Sequence, residues 1–203
     1  MNKFLKTLKA TVISLIVAFL MLILIIGSIY LFGKEKIMLA TFMIETIAPS
    51  NVDNTDIKPV LENGILVNFP TYGTKYATLK IDSIGVNLPV YFGASYSILK
   101  SGIAHDDNSY FPGQGGSVIM AGHNFKNFLA KLPDVKNGDI IEVNTTYGDF
   151  KYQVSNSKIV KETAIDEVPI QEENEILMLY TCWPINNIGH ASERYVVYAD
   201  LMQ

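Results

Sequence analysis

Hydrophobic and polar positions divide the chain into three parts. Residues 11–32 form one uncharged apolar run, a stretch rich in Asn, Asp and Pro follows, and short apolar runs begin near residue 74. A helix rises about 1.5 Å per residue, so 11–32 is long enough to cross a hydrocarbon core of about 30 Å. The pattern predicts a cytoplasmic N-terminus over 1–10, a transmembrane signal anchor over 11–32, a stalk or linker over 33–73 and an outer domain over 74–203.

The charges that flank the apolar run predict its orientation in the membrane. Lys3, Lys6 and Lys9 precede it without an acidic residue, whereas acids and lysines are mixed over 33–45. Because lysines favour the cytoplasmic side, the N-terminus is expected inside the cell and the outer domain outside it. A cleaved signal peptide is the alternative, but the run is longer than a usual signal-peptide core and lacks a clean A-x-A cleavage site. A single-pass membrane protein with an extracellular domain is therefore predicted.

Short runs of β-branched and aromatic residues, bounded by turn residues, dominate the outer domain. Such runs are typical of strands. Strands are predicted over 76–81, 84–92, 117–123, 139–144, 150–160, 176–182 and from 194 onward, helices over 95–102 and 125–132, and a long loop over 103–116. Many short strands with one or two short helices indicate a mainly β fold, a closed or nearly closed β-barrel.

Composition and charge narrow the range of functions. The net charge of −4 and the pI near 5.4 argue against a nucleic-acid partner, since such proteins usually carry a basic patch. Cys182 is the only cysteine, so the outer domain cannot contain an internal disulfide. Its thiol is therefore either buried and inert or kept free for chemistry.

Cys182 is the candidate nucleophile, because it ends a predicted strand, where a side chain can face a cleft. The only arginine, Arg194, stands at the start of the next strand. A cysteine nucleophile needs a group that takes its proton, and histidine is the natural partner. His123 ends an apolar strand as Cys182 does, whereas His105 lies in a loop beside two aspartates and His190 lies in the loop before Arg194. Two side chains at strand ends can converge at one mouth of a barrel, so His123 is the preferred partner.

Two alternatives to this pairing remain open from the residues alone. A lone histidine is often structural or simply exposed, which applies to His123 as to the others. A metal site formed by His105, His123 and Cys182 is the other alternative, and it is disfavoured because no two of them have the short spacing of a ligand pair such as C-x-x-C.

Several short motifs occur together in the outer domain. They are GIAHDD, PG, GG and VIMAGHN over 102–124, LYTC ending at Cys182, and ER just before the last strand. In this order, behind an N-terminal anchor, they make the chain resemble the sortase family of membrane-anchored cysteine transpeptidases. The resemblance covers roughly Tyr76 to Leu201. The family signature TLxTC reads MLYTC here, so its first threonine is replaced by Met178.

The resemblance implies a fold and a reaction. The fold is an eight-stranded β-barrel, and the reaction cleaves an LPxTG-like C-terminal sorting motif between Thr and Gly through a thioester acyl-enzyme. The implied partners are secreted proteins that carry the motif and an amine acceptor of the Gram-positive cell wall. The acceptor is a peptidoglycan precursor or another amine nucleophile, such as a pilin lysine. The short domain, the single N-terminal anchor and the sequence TCWP at 181–184 look most like class D, with class A next. A membrane-tethered peptide-binding module on the same barrel, without catalysis, is the alternative function.

The resemblance also implies roles for particular residues. No cofactor is expected. The acid-rich segment 162–174 lies where the family's substrate-recognition loop occurs, and some relatives bind calcium, but these acids lack the spacing of a dedicated calcium loop. The implied catalytic residues are Cys182, His123 and Arg194, and the residues implied to bind substrate or to support the catalytic groups are His105, Thr181 and Ala121.

Overall fold

The computed structural model describes residues 2–44, 59–164, 170, 174–185 and 190–202. The chain divides into two compact units, Met1–Ile47 and Ala48–Gln203. The first unit contains helix α1, Asn2–Ile44, which extends past the end of the apolar run predicted over 11–32. Within α1, the segment Thr11–Tyr30 has a mean hydropathy of 3.1 and is long and apolar enough to cross a membrane. This apolar helix agrees with the predicted anchor, and its orientation stays a prediction.

The second unit is mainly β. Its strands are β1 Val60–Glu62, β2 Ile65–Val67, β3 Lys75–Ile81, β4 Val86–Phe92, β5 Ile103–His105, β6 Ser117–Ala121, β7 Ile140–Thr145, β8 Asp149–Lys161, β9 Ile176–Trp183 and β10 Glu193–Leu201, with one short α-helix, α2 Tyr96–Ser101. Short 3-10 helices cover Asp82–Ile84, Leu132–Asp134 and Glu162–Ala164. Eight strands close into a barrel in the order β10-β8-β7-β3-β4-β5-β6-β9, which confirms the predicted eight-stranded barrel.

Two parallel pairings interrupt an otherwise antiparallel barrel. These are β4 with β5 and β6 with β9. The second pairing matters for the site, because the carboxyl ends of parallel strands lie at the same edge of the sheet. The strand that leads toward His123 and the strand that carries Cys182 therefore finish side by side.

The barrel core is built from alternate residues of the strands. Its fully buried members include Leu79, Ile141, Leu177, Leu179 and Val197. Successive side chains of a strand point to opposite faces, so the intervening residues face outward. A smaller apolar cluster covers the outer face of β6, β9 and β10, and we call it the outer cluster; its buried members are Ile119, Met178 and Val196.

The stretch predicted as the end of the stalk contributes a β-hairpin. β1 pairs with β2, and the turn between them contains Asn63 and Gly64 at φ 51° and 76°, which is the conformation that favours Asn-Gly in tight hairpins. Leu66 of this hairpin is only 1% exposed and packs in the core of the second unit. The predicted linker residues 45–58 lie outside the described residues.

The prediction of a helix over 125–132 is wrong. This segment forms turns that lead into the 3-10 helix Leu132–Asp134. The helical spacing of its apolar residues instead reflects packing, since Leu129 and Leu132 are fully buried. An isolated eight-residue segment is too short to form a helix unaided, and Pro133 cannot donate the hydrogen bond that would continue one.

Candidate active site

β9 lies between β6 and β10 and carries Cys182 on its outward face. Leu177 and Leu179 point into the core, whereas Met178 belongs to the outer cluster. The alternation therefore places Cys182 outward with Met178, and the thiol is half-buried. Arg194 of β10 is the register partner of Cys182. Side chains directly opposite each other on one face of a sheet have Cβ atoms about 5 Å apart, so this pairing makes Arg194 a neighbour of Cys182.

Hydrogen bonds continue the pairing of β6 and β9 past the end of β6. Ala121 is the register partner of Tyr180, and the next amide, that of Gly122, donates to the Tyr180 carbonyl at 3.1 Å. The buried Thr181 hydroxyl donates to the Gly122 carbonyl at 2.8 Å. Thr181 and Ala121 therefore hold the backbone that leads into His123, although the strand itself ends at Ala121 and not at His123 as predicted.

A second contact, on the other side of His123, connects its loop to the residues that follow Cys182. The side-chain amide of Asn124, which is 4% exposed, donates to the Pro184 carbonyl at 3.1 Å. Since Gly122 is bonded to residues just before Cys182 and Asn124 to a residue just after it, His123 lies beside Cys182. His123, just past the end of β6, thus lies in one row with Cys182 of β9 and Arg194 of β10, on the outer wall of the barrel near its edge.

Aromatic rings surround the imidazole of His123. Phe125 stacks on it with ring centroids 5.4 Å apart, and Phe128 and Tyr96 present their edges at 5.8 Å and 6.0 Å. Burial lowers the pKa of His123 from 6.5 to about 4, and the positive charge of Lys100 acts in the same direction. The imidazole is therefore neutral at neutral pH and able to accept a proton.

Three acceptors hold the guanidinium of Arg194. Its Nη1 donates to the carbonyls of Ala191 at 2.7 Å and Glu193 at 3.0 Å, and its Nη2 donates to the carboxylate of Glu162. The other oxygen of this carboxylate lies 3.1 Å from Nε2 of His190. The arginine side chain is 13% exposed, so the guanidinium is fixed in place at the edge of the outer wall.

His105 was predicted to lie in a loop, but it lies on β5 and its side chain faces the inside of the barrel. It is fully buried and shares the inner face with Ile103. Its Nε2 donates to the Tyr110 carbonyl at 3.0 Å, so Nδ1 accepts from the Tyr76 hydroxyl at 2.8 Å. Phe111 presses edge-on against the ring. Both ring nitrogens are used on the face opposite to Cys182, so His105 contributes to the structure of the barrel. Its expected role in binding substrate or supporting the catalytic groups stays a prediction.

The burial of His105 predicts a barrel that loses stability in acid. Burial lowers the pKa of His105 from 6.5 to about 4, so the unfolded chain takes up a proton before the folded one does. Stability is complete above pH 6.5 and falls as the pH drops toward 4, by about 3 kcal/mol for this group. Urea unfolding of the detergent-solubilised protein at pH 7 and pH 4, followed by the fluorescence of Trp183, measures this loss.

A His105→Gln variant provides the control for this loss. Glutamine can donate to Tyr110 and accept from Tyr76 without titrating, so its stability should change less between the two pH values. An equal loss in the variant and the wild type would assign the acid sensitivity to other groups.

Within the described residues, no group of three or more His, Cys, Asp or Glu side chains is placed to hold a metal ion. Most of the acid-rich segment 162–174, where calcium was considered, lies outside those residues. Sequence reasoning missed Glu162 as a contact of Arg194 and Asn124 as a contact of Pro184. The only available signal for Asn124 was its position directly after His123.

Comparison with known proteins gives a family match. The sequence profile described as the sortase domain matches residues 79–202. Sortase D of Bacillus subtilis (strain 168) is 31% identical over 129 residues, which cover 64% of this chain and 65% of that protein. The chain thus spans slightly less than two thirds of this relative, whose class agrees with the predicted likeness to class D.

Solved structures of the same family share the barrel. Sortase C from Clostridium perfringens SM101 is 27% identical, with a TM-score of 0.57, over 66% of this chain and 72% of that chain. The structure of C. perfringens sortase C with the C-terminal cell wall sorting motif gives 27% identity and a TM-score of 0.58, over 66% and 73% of the two chains.

Proposed function

Because the chain belongs to the sortase family of cysteine transpeptidases, we propose that it cleaves an LPxTG-like C-terminal sorting motif between Thr and Gly and transfers the protein to an amine of the cell wall. The observation that carries the proposal is the row formed by His123, Cys182 and Arg194 on the outer wall. The catalytic roles given to these three residues are part of the proposal.

The first half-reaction forms the thioester. The sulfur of Cys182 attacks the threonine carbonyl carbon while the neutral imidazole of His123 takes the thiol proton, so an S–C bond forms and the carbonyl oxygen becomes negative. The C–N bond to glycine then breaks, and the imidazolium returns its proton to the departing amine. The threonine side of the substrate stays on Cys182, and the glycine fragment leaves.

The second half-reaction reverses these roles. An incoming amine attacks the thioester carbon and gives a proton to His123, and a new C–N bond forms. The C–S bond then breaks, and the sulfur of Cys182 takes the proton back. Water would give hydrolysis by the same steps, so transfer requires that the amine outcompete water.

Arg194 suits the stabilisation of the negative carbonyl oxygen. It is charged at any accessible pH and presents a planar set of donors. Its guanidinium is already held by protein groups, so little reorganisation is needed during the reaction. A well-placed donor of this kind lowers the barrier by about 3–4 kcal/mol.

A solved relative supports a peptide as the substrate class. The related C. perfringens sortase C has been solved with a C-terminal cell wall sorting motif, and we extend that substrate class to this chain. The N-terminal apolar helix supports membrane anchoring. We place the N-terminus in the cytoplasm and the barrel outside the cell, since the lysines precede the apolar segment of this helix.

Mass spectrometry of a peptide reaction tests the function. The full chain in detergent is incubated with a library of peptides that carry LPxTG-like motifs, with and without an added amine such as a peptidoglycan stem peptide. We expect products truncated after threonine, a mass adduct on the fragment that contains Cys182, and an amide product when the amine is present. Peptide binding without cleavage or adduct would instead support the non-catalytic binding module.

A further inference from the structure

We propose that Glu162 is a positioning residue, which fixes the guanidinium of Arg194 for the reaction at Cys182. This inference rests on the proposed function and adds a residue to it. Arg194 stands between the two other residues, because β10 lies between β8 and β9 in the barrel. Cys182 is its neighbour on the β9 side, and Glu162 follows the end of β8 on the other side.

The barrel holds Glu162 in register with the strand that carries Arg194. Lys161, the last residue of β8, is the register partner of Glu193. One residue further, the amide of Glu162 donates to the Ser192 carbonyl at 2.9 Å. Both the carboxylate and the guanidinium therefore extend from backbone that the sheet has already fixed, so their contact does not depend on a flexible loop.

The hydrogen-bond count of Arg194 leaves donors for a substrate. A guanidinium has five N–H groups, and the hydrogen bonds of Arg194 to the described part of the chain use two on Nη1 and one on Nη2. Two N–H groups remain to reach the carbonyl oxygen as it becomes negative. The neighbouring carboxylate weakens the positive field at that oxygen, so its benefit to the reaction lies in orientation and not in charge.

His190 contacts the carboxylate of Glu162 but is not needed to hold it in place. Its Nε2 lies 3.1 Å from the second oxygen of Glu162, but the side chain is 77% exposed. Polar contacts as exposed as this one contribute little, because solvent competes for both groups. Orientation of Glu162 is therefore expected to survive the loss of His190.

Variants of Glu162 separate orientation from charge. In the full chain, Glu162→Ala is expected to slow thioester formation about 10-fold, because a misplaced catalytic group costs rate steeply. Glu162→Gln keeps an oxygen that accepts from Arg194 and should stay within about 3-fold of the wild type. The loss should appear in kcat and not in KM, since the contact acts on the developing negative charge. Single-turnover acylation of an LPxTG-like peptide, followed by rapid quench, gives these rates.

Matched controls show whether Glu162 acts through Arg194. Glu142→Ala removes a carboxylate of similar exposure that pairs with Lys151 at 3.1 Å on β7, and it should leave the rate unchanged, as should His190→Gln. In an Arg194→Ala background, the further change Glu162→Ala should have no additional effect, because coupled residues are non-additive.

The outcomes distinguish this inference from the proposed function. If Cys182→Ala and Arg194→Ala leave acylation intact, the proposed function fails. If Cys182→Ala is inactive and Arg194→Ala is slowed but measurable, two results overturn the positioning role. One is a Glu162→Ala rate equal to or above that of the wild type, and the other is an equal slowing by Glu162→Ala in the Arg194→Ala background. Thermal unfolding is measured for every variant. If Glu162→Ala does not fold, Glu162→Asp is used in its place, because its side chain is too short to hold the guanidinium in the same position. A Glu162→Asp acylation rate like that of the wild type would refute the proposal.

Discussion

Replacing Cys182 by alanine is expected to abolish both cleavage and thioester formation while the barrel stays folded. Without the sulfur no covalent intermediate can form, and removal of a nucleophile from a cooperating set costs at least about 10⁴-fold in rate. The thiol is half-buried on the outer wall and not in the barrel core, so the free energy of unfolding should change by less than about 1 kcal/mol. Cleavage of a quenched LPxTG-like peptide and thermal unfolding measure the two effects.

A reactive thiol can also be recognised before any substrate is known. As the only cysteine, Cys182 is the one site of reaction with a small methanethiosulfonate reagent, and fast labelling that blocks cleavage is expected. His123→Gln should slow the labelling if the imidazole takes the thiol proton. Residual cleavage by Cys182→Ala above about 1% of the wild-type rate would contradict a covalent mechanism, because the expected loss is far larger.

Replacing His123 by glutamine is expected to lower kcat/KM by about 10³-fold, within the range for loss of a general acid and base. Glutamine can fill the space between Phe125 and Tyr96 but cannot carry the proton from thiol to leaving amine. The matched control is His190→Gln, which removes the exposed histidine near the same edge and should change kcat/KM by less than about 2-fold. Equal losses in the two variants would remove His123 from the mechanism.

The acid limb of the pH profile checks the same role. The imidazole must be neutral to accept a proton, and burial lowers the pKa of His123 to about 4. Activity should therefore persist as the pH falls below 6.5 and decline only as it approaches 4. Lys100→Met removes a nearby positive charge that favours the neutral form, so it should move this limb to higher pH. A limb that stays at pH 6.5 in the wild type would indicate an exposed imidazole.

Much of the fold could be predicted because alternation is a local property of the sequence. Strands such as 76–81 and 150–160 carry their own period of two, so their side chains indicate which face is buried. The same locality explains the errors. The segment 125–132 has helical spacing, yet its apolar residues are placed by the barrel core around Leu129. The β-hairpin that contains Leu66 was predicted as part of the stalk, because so few of its residues are apolar and buried.

In the candidate site, too, features that depend on local sequence could be predicted, and contacts between distant residues could not. Cys182, His123 and Arg194 were predicted from residue type and motif. His105 carries a similar local signal, but its partners Tyr76 and Tyr110 lie elsewhere in the chain, and only the fold reveals that they use both ring nitrogens. Glu162 has no motif at all, since its contact with Arg194 arises from the pairing of β8 with β10.

The alternation of side chains along β9 links the direction of the Cys182 thiol to the packing of the barrel core. Side chains along a strand alternate between its two faces. Leu179 and Leu177, three and five positions before Cys182, therefore face the core when Cys182 faces outward. Loss or gain of a single codon between 179 and 182 would turn the thiol toward the apolar interior or expel the leucines into solvent. Insertions should therefore be tolerated far better in the loops on either side of this strand than within the strand itself.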